Sequence, residues 1–202
     1  MNNIKERIIQ EAAMLFAKQG CKAITMDEIA SSMGISKRTI YENFSDKRAL
    51  LLQCVEYFFQ RMQDKTNVVL KSSDNIIDTI FKTMQCESHI MGEAKFNFLR
   101  EIQKYFPDVY KSTVTTYKKA NFENTEKLLK KGQEDKVFRK DIDIKITTVL
   151  LQEMQLFLID SDTFSKYGYE KHVLMPIFMY TFTRGICTEK GLKILDELKN
   201  KK

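Results

Sequence analysis

Proline and glycine are scarce in this chain, two and seven in 202 residues. Few positions therefore interrupt a helix, and the composition favours an all-α fold. Alternation of the strand kind is lacking beyond a few residues, and no internal repeat is evident. Only two histidines occur, His89 and His172, too few and too separated for a metal site or for a base paired with a nucleophile. With no phosphate-cradling glycine loop either, an enzyme is not expected and no cofactor or metal is called for. No run of about 18 apolar residues is present, which excludes a membrane-spanning helix. The richest stretch, Val173 to Phe182, is too short. The four cysteines, Cys21, Cys54, Cys86 and Cys187, include no C-x-x-C pair and read as reduced core fillers. The opening MNNIKERIIQEAAMLF lacks an apolar h-region and a cleavage site, so a cytoplasmic location is expected.

What is present is helical periodicity. Ile4, Ile8, Ala12, Leu15 and Phe16 recur at the 3.6 spacing, and Gly20 closes this first helix in a left-handed cap position. Two short helices follow. A long one from about Lys47 through Leu70 turns Leu50, Leu51, Cys54, Phe58 and Met62 inward. Later segments fall near Asn75 to Ile90, Lys95 to Tyr105, Asp108 to Gly132, Ile144 to Ser161, Tyr169 to Ile186 and Thr188 to Lys199. Breaks are expected at Gly92, Pro107, Gly132, Gly168 and Gly185. The lysine-rich end, Lys199 to Lys202, reads as a solvated terminus.

The informative stretch is ITMDEIASSMGISKRTIYENFSDKRALL, from Ile24, with the Leu52 that follows it. Thr25 and Glu28 have capping-box spacing, and Ile24 and Ile29 form the matching hydrophobic staple, so a helix starts at Met26. It runs only to Met33, because Gly34 supplies the positive φ for a tight reversal. Ser36 caps the next helix, with Ile35 and Ile40 as a second staple. Two capped helices around a turn of about three residues form a helix-turn-helix. Ala30 allows their close approach, and Ile29, Met33, Ile40 and Phe44 share an apolar seam with Leu15 and Phe16.

With Ile40 and Phe44 inward, the second helix presents Lys37, Arg38, Thr39, Tyr41, Glu42 and Asn43 outward or at its edge. That set suits the major groove of DNA. Arg38 or Lys37 can bond a guanine edge, Asn43 an adenine, and the Thr39 methyl can pack on a thymine methyl, each good pair worth roughly 1–3 kcal/mol of discrimination. Tyr41 and Lys47 suit phosphates, as do the backbone amides near Thr25 and Ser36. Glu42 either accepts from a cytosine amino group or faces away from the backbone.

The order of the whole unit, F-A-K-Q-G over Phe16 to Gly20, then I-T-M-D-E-I-A, M-G-I-S-K-R-T-I-Y-E-N-F and D-K-R-A-L-L, resembles the N-terminal domain of the TetR family of transcriptional regulators. The match covers about Ile4 to Leu52. The resemblance implies that Thr25, Lys37, Thr39, Tyr41 and Lys47 occupy positions that touch phosphate or base, with Arg38 and Asn43 as additions. Asp27 departs from it, placing an acid where the family sometimes reads a base from the first helix of the motif. The implied organisation is a DNA-binding domain over residues 1–48 and a helical effector-binding and dimerisation domain over 49–202.

The C-terminal two-thirds is less specific. Leu174, Met175, Ile177, Phe178, Met179, Tyr180 and Phe182 make the segment Val173 to Ile186 apolar on most sides, and Val149, Leu150, Met154, Phe157 and Leu158 give Ile146 to Ile159 a broad apolar face. Helices near 144–161 and 169–186 are therefore expected to build a four-helix bundle with a second copy about a two-fold axis. Met84, His89, Met91, Phe96, Phe98, Tyr117 and Phe122 are candidates for a small-molecule effector pocket, although such side chains also fill ordinary cores. A homodimeric repressor released from a palindromic operator by an effector is the leading reading; a DNA-binding adaptor of the same fold with a protein partner is the alternative. Bulk charge contributes little to either. The chain carries +6, but the first 48 residues hold eight basic and six acidic side chains, a net of only +2.

Overall fold

The structure, a computed structural model, describes the backbone of residues 4–90, 92–160, 163–169 and 171–200. Side chains are described within those ranges except at 84–97, 159–160, 165 and 171–172. The helices are α1 (Ile4–Gln19), α2 (Met26–Met33), α3 (Lys37–Asn43), α4 (Lys47–Ser72), α5 (Ile76–Ile90), α6 (Gly92–Tyr105), α7 (Pro107–Glu134), α8 (Ile144–Asp160), α9 (Lys171–Ile186) and α10 (Glu189–Asn200). A 3₁₀ turn spans Phe164–Tyr167. Among the described residues the only extended pairing outside these helices is an isolated antiparallel bridge between Phe138 and Cys187. The fold is all-α.

Two breaks expected from glycine do not occur. Gly132 lies inside α7 and Gly185 inside α9. At Gly132 the reason is packing: a β-carbon there would stand 2.0 Å from Cδ2 of Phe138, so the glycine admits an aromatic ring instead of ending a helix. The reversal comes later, at Lys136, with φ of 58°. Pro107 opens α7, where its missing amide costs nothing. Pro176 sits inside α9 and offers no amide to the helical ladder.

The chain divides into two compact units. One comprises residues 1–64 and 94–117; the other comprises 65–93 and 118–202. In the first, Ile8, Ala12 and Phe16 of α1 are buried with Ile29 and Ala30 of α2, Ile40 of α3, Phe44, and Leu50, Leu51, Cys54, Val55 and Phe58 of α4. Leu15, Met33 and Met62 are only half-buried. Phe98 joins this core from α6, its ring stacked on Phe16 and set edge-on to Phe58. Tyr117 stacks on Phe59 with ring centroids 4.0 Å apart.

The second unit closes around Ile76, Ile77, Leu129, Val137, Phe138, Ile186, Cys187 and Leu195. Its α10 is docked at close range. A β-carbon on Gly191 would lie 2.2 Å from the carbonyl oxygen of Val137, and the Thr188 hydroxyl, which caps α10, donates to the carbonyl of Lys136. Helices α8 and α9 pack on each other. Their remaining faces leave Ile146, Val149, Leu150, Met154, Phe157, Val173 and Ile177 exposed, Ile146 at 60% and Ile177 at 56%.

Candidate nucleic-acid interface

The site begins with two caps. The Thr25 hydroxyl accepts the Glu28 amide at 3.2 Å, and the Glu28 carboxylate accepts the Thr25 amide at 2.7 Å, which completes a capping box. The bonds that the carboxylate accepts from Thr25 hold the Glu28 carboxyl below its usual range, the backbone amide being the largest cause and the hydroxyl the next. Gly34 then takes φ 63° and ψ 30°, and its amide closes on the carbonyls of Ala30 and Ser31. Two residues later Ser36 accepts the Thr39 amide at 3.0 Å and starts α3. Each side-chain cap is worth about 1 kcal/mol, enough to define short helices that would not persist alone. Burial of Ile29, Ile40 and Phe44 fixes which face of α3 turns in.

On the other face, the candidate reading residues are held in an ordered set of polar contacts. Lys37 donates to Asp27 at 2.7 Å, and this carboxylate raises the lysine pKa. Arg38 donates through Nε to Glu42 at 2.8 Å. Asn43 is half-buried, and its amide donates to the carbonyl of Thr39 in the preceding turn. Thr39 is itself half-buried, its hydroxyl 2.8 Å from that of Ser36. Tyr41 is 45% exposed with the Lys37 ammonium 5.9 Å from its ring centre. Glu42 thus neither faces away alone nor stands free; it holds Arg38.

Lys47 is placed differently from the other cations. Its ammonium donates to the carbonyl of Lys22 at 3.1 Å and lies 5.9 Å from the ring centres of both Phe16 and Phe106. Partial burial pushes its pKa below the usual value. Next to it, Arg48 is ion-paired with Asp108 and lies over the same Phe106 ring. Phe106 and Asp108 come from a segment far along the chain, and no local spacing in the sequence marks them.

The effector candidates do not assemble into one described site. Phe98 is a core member of the first unit, Tyr117 is half-buried against Phe59, and Phe122 is half-buried on α7. Met84, His89, Met91 and Phe96 lie outside the residues whose side chains are described. A cleft of about 630 Å³ in the second unit is lined by Asp74, Asn75, Glu134, Asp135, Lys136, Val137, Lys190 and Ile194, none of them a candidate. Among the described residues no group of His, Cys, Asp and Glu side chains is arranged to hold a metal ion, and no helix is long and apolar enough to cross a membrane.

Residues 8–54 match the family described as bacterial regulatory proteins, tetR family. Over 65 residues the chain is 49% identical to an uncharacterized HTH-type transcriptional regulator, YerO, of Bacillus subtilis, an alignment that covers 32% of this chain and 22% of that protein. Over 107 residues it is 25% identical to IcaR of Staphylococcus aureus, a negative transcriptional regulator of the biofilm operon icaADBC, covering 53% of this chain and 52% of IcaR. The matched segments thus span about a fifth and about half of those two relatives. Likeness in fold extends further. A transcriptional regulator from Cytophaga hutchinsonii superposes with a TM-score of 0.74 at 22% identity, over 91% of this chain and 98% of that one. A regulator from Saccharomonospora viridis solved in complex with choline gives 0.73 at 18% identity, over 94% and 100%. These four proteins are named as regulators, none as an enzyme.

Proposed function

We propose that this chain, whose residues 8–54 match the tetR family of bacterial regulatory proteins, is a transcriptional repressor that binds a palindromic operator as a homodimer and is released by a small-molecule effector. The observation that carries the DNA-binding part is the pair of capped helices around Gly34, with the edge from Lys37 to Asn43 turned outward. Thr25, Ser36, Tyr41 and Lys47 position the duplex through phosphates, while Lys37, Arg38, Thr39 and Asn43 read base edges. Residues 1–48 supply the reading part and residues 49–202 the effector and dimer part.

Dimerisation is supported by the exposed apolar side chains on α8 and α9, which a second copy would cover. Repression is suggested by IcaR, whose name makes it a negative regulator, and a small-molecule effector by the choline complex. Release follows if the effector prefers a state whose two reading helices do not match the operator spacing. The adaptor alternative has a protein partner in place of that ligand, and thermal-shift screening against lipophilic compounds separates them, since a ligand well above its dissociation constant raises the melting temperature.

The test of DNA binding is a titration of the chain with duplex DNA at several salt concentrations. Logarithmic affinity is expected to fall linearly with the logarithm of salt, as phosphate contacts release counterions. Absence of duplex binding at low salt would contradict the proposal.

A further inference from the structure

The corner between α1 and α2 stands just ahead of Thr25, and it is gripped from two sides. On one side the Lys22 amide donates to Glu101 Oε2 at 3.2 Å, and the Cys21 thiol donates to the same carboxylate. On the other, the carbonyl of Lys22 accepts from the Lys47 ammonium at 3.1 Å. One side chain from α6 and one from α4 therefore hold successive peptide groups of a single residue. Gly20 makes the room: its φ is 90°, and a β-carbon there would lie 2.6 Å from Glu101 Oε1. The Lys22 ammonium closes over the Tyr105 ring at 4.8 Å, one helical turn beyond Glu101, and Arg48 pairs with Asp108 just beyond.

From this geometry we infer that Glu101 is a positioning residue for DNA binding, which fixes the Cys21–Lys22 corner and through it the N-terminus of α2 and the Lys47 ammonium. The inference rests on the DNA-binding reading above. It assigns work to a side chain 79 positions from the corner it holds. Without Glu101 the corner keeps its apolar anchors, Cys21 and Ile24, both buried, so the domain still folds. What it loses is the fixed direction of the Lys22 peptide, and with it the register of the capped helix start and of Lys47 against the phosphate backbone. Contacts of this kind tolerate little misplacement, because a helix N-terminus and a lysine contribute only when aimed at the same strand.

The experiment uses the full chain and three variants, Glu101→Ala, Glu101→Gln and Lys47→Ala. Each is measured for affinity toward a labelled mixed-sequence duplex at several salt concentrations, for melting temperature, and for the rate of Cys21 alkylation mapped by peptide mass spectrometry. Glu101→Ala is expected to weaken the duplex about tenfold, comparable with losing a phosphate contact, to lower the salt slope as Lys47→Ala does, and to speed alkylation of Cys21. Glu101→Gln keeps an oxygen for the Lys22 amide and is expected to retain most of the affinity. Wild-type affinity in Glu101→Ala would overturn the inference. So would a loss of affinity that follows melting temperature equally in the Ala and Gln variants, which would make Glu101 a folding residue only. If the wild-type chain binds no duplex, the DNA-binding reading falls. The alkylation rate still decides separately whether Glu101 holds the corner.

Discussion

The Nζ of Lys37, the first residue of α3, donates to Oδ2 of Asp27, the second residue of α2, at 2.7 Å. The two helices of the motif are thus tied across their N-terminal ends by an ion pair in which both side chains are more than half exposed. Such a pair contributes little to stability, since water screens it. In the proposed DNA-binding role its effect would be on DNA, because it occupies a cation on the candidate reading edge.

Asp27→Asn releases that cation. Affinity for non-operator duplex is expected to rise and its salt slope to steepen by about one, as one more lysine becomes available to phosphate. Titrations of wild type and Asp27→Asn against the same duplex at several salts check this. An unchanged slope would mean that Lys37 already leaves Asp27 when DNA arrives.

The division between reading and anchoring can be tested on three side chains. Tyr41→Phe and Lys47→Ala are expected to weaken binding almost uniformly across sequences, whereas Arg38→Ala relaxes preference at one base position, by roughly 1–3 kcal/mol of lost discrimination. Arg38 starts from its bond to Glu42. Binding of all three variants to a panel of single-base operator changes is the measurement. The same profile in all three would contradict the division.

Alkaline pH probes the buried thiols. Burial first, and then the hydrogen bond to Glu101, lifts Cys21 from an ordinary 9.0 to about 12; burial lifts Cys187 to about 11. In the unfolded chain these groups lose their protons near pH 9, so between about pH 9 and 12 the folded state binds more protons and stability falls as pH rises. Below pH 9 the thiols contribute no slope. Denaturant titrations under reducing conditions should show this fall, and Cys21→Ala should make it shallower.

The proposed dimer would be built on the exposed faces of α8 and α9. Leu150 and Ile177 are 54% and 56% exposed. Replacing both with Glu is expected to leave the helical content unchanged, to give a monomer in sedimentation, and to weaken specific DNA binding at least about tenfold, since each half-site would then be held alone. A dimer that survives both changes would place the interface elsewhere.

The helix-turn-helix was legible because its determinants are local. Thr25, Glu28, Gly34 and Ser36 act within four residues of themselves, and the structure shows each bond that their spacing anticipates. Helix starts and ends elsewhere followed from periodicity within a few residues. Gly132 misleads for a physical reason: glycine marks either a turn or a close approach, and only the ring of Phe138 above Gly132 distinguishes them, whereas Gly185 has open space around it and nothing in the structure explains the glycine there. The contacts of Lys47 with Lys22, of Glu101 with the corner and of Asp108 with Arg48 join distant parts of the chain, where no periodicity operates. Residue type alone marks the pocket candidates, and type does not separate a core aromatic such as Phe98 from a pocket wall.

The central claim, that the edge from Lys37 to Asn43 reads a two-fold symmetric operator, is tested most directly by selecting duplexes from a random-sequence pool with the full chain at moderate salt. The expected result is enrichment of a palindrome whose half-sites lie roughly 34–36 Å apart, or a multiple of that spacing, and its loss with Arg38→Ala. Recovery of a pool with no shared, symmetric sequence would contradict it.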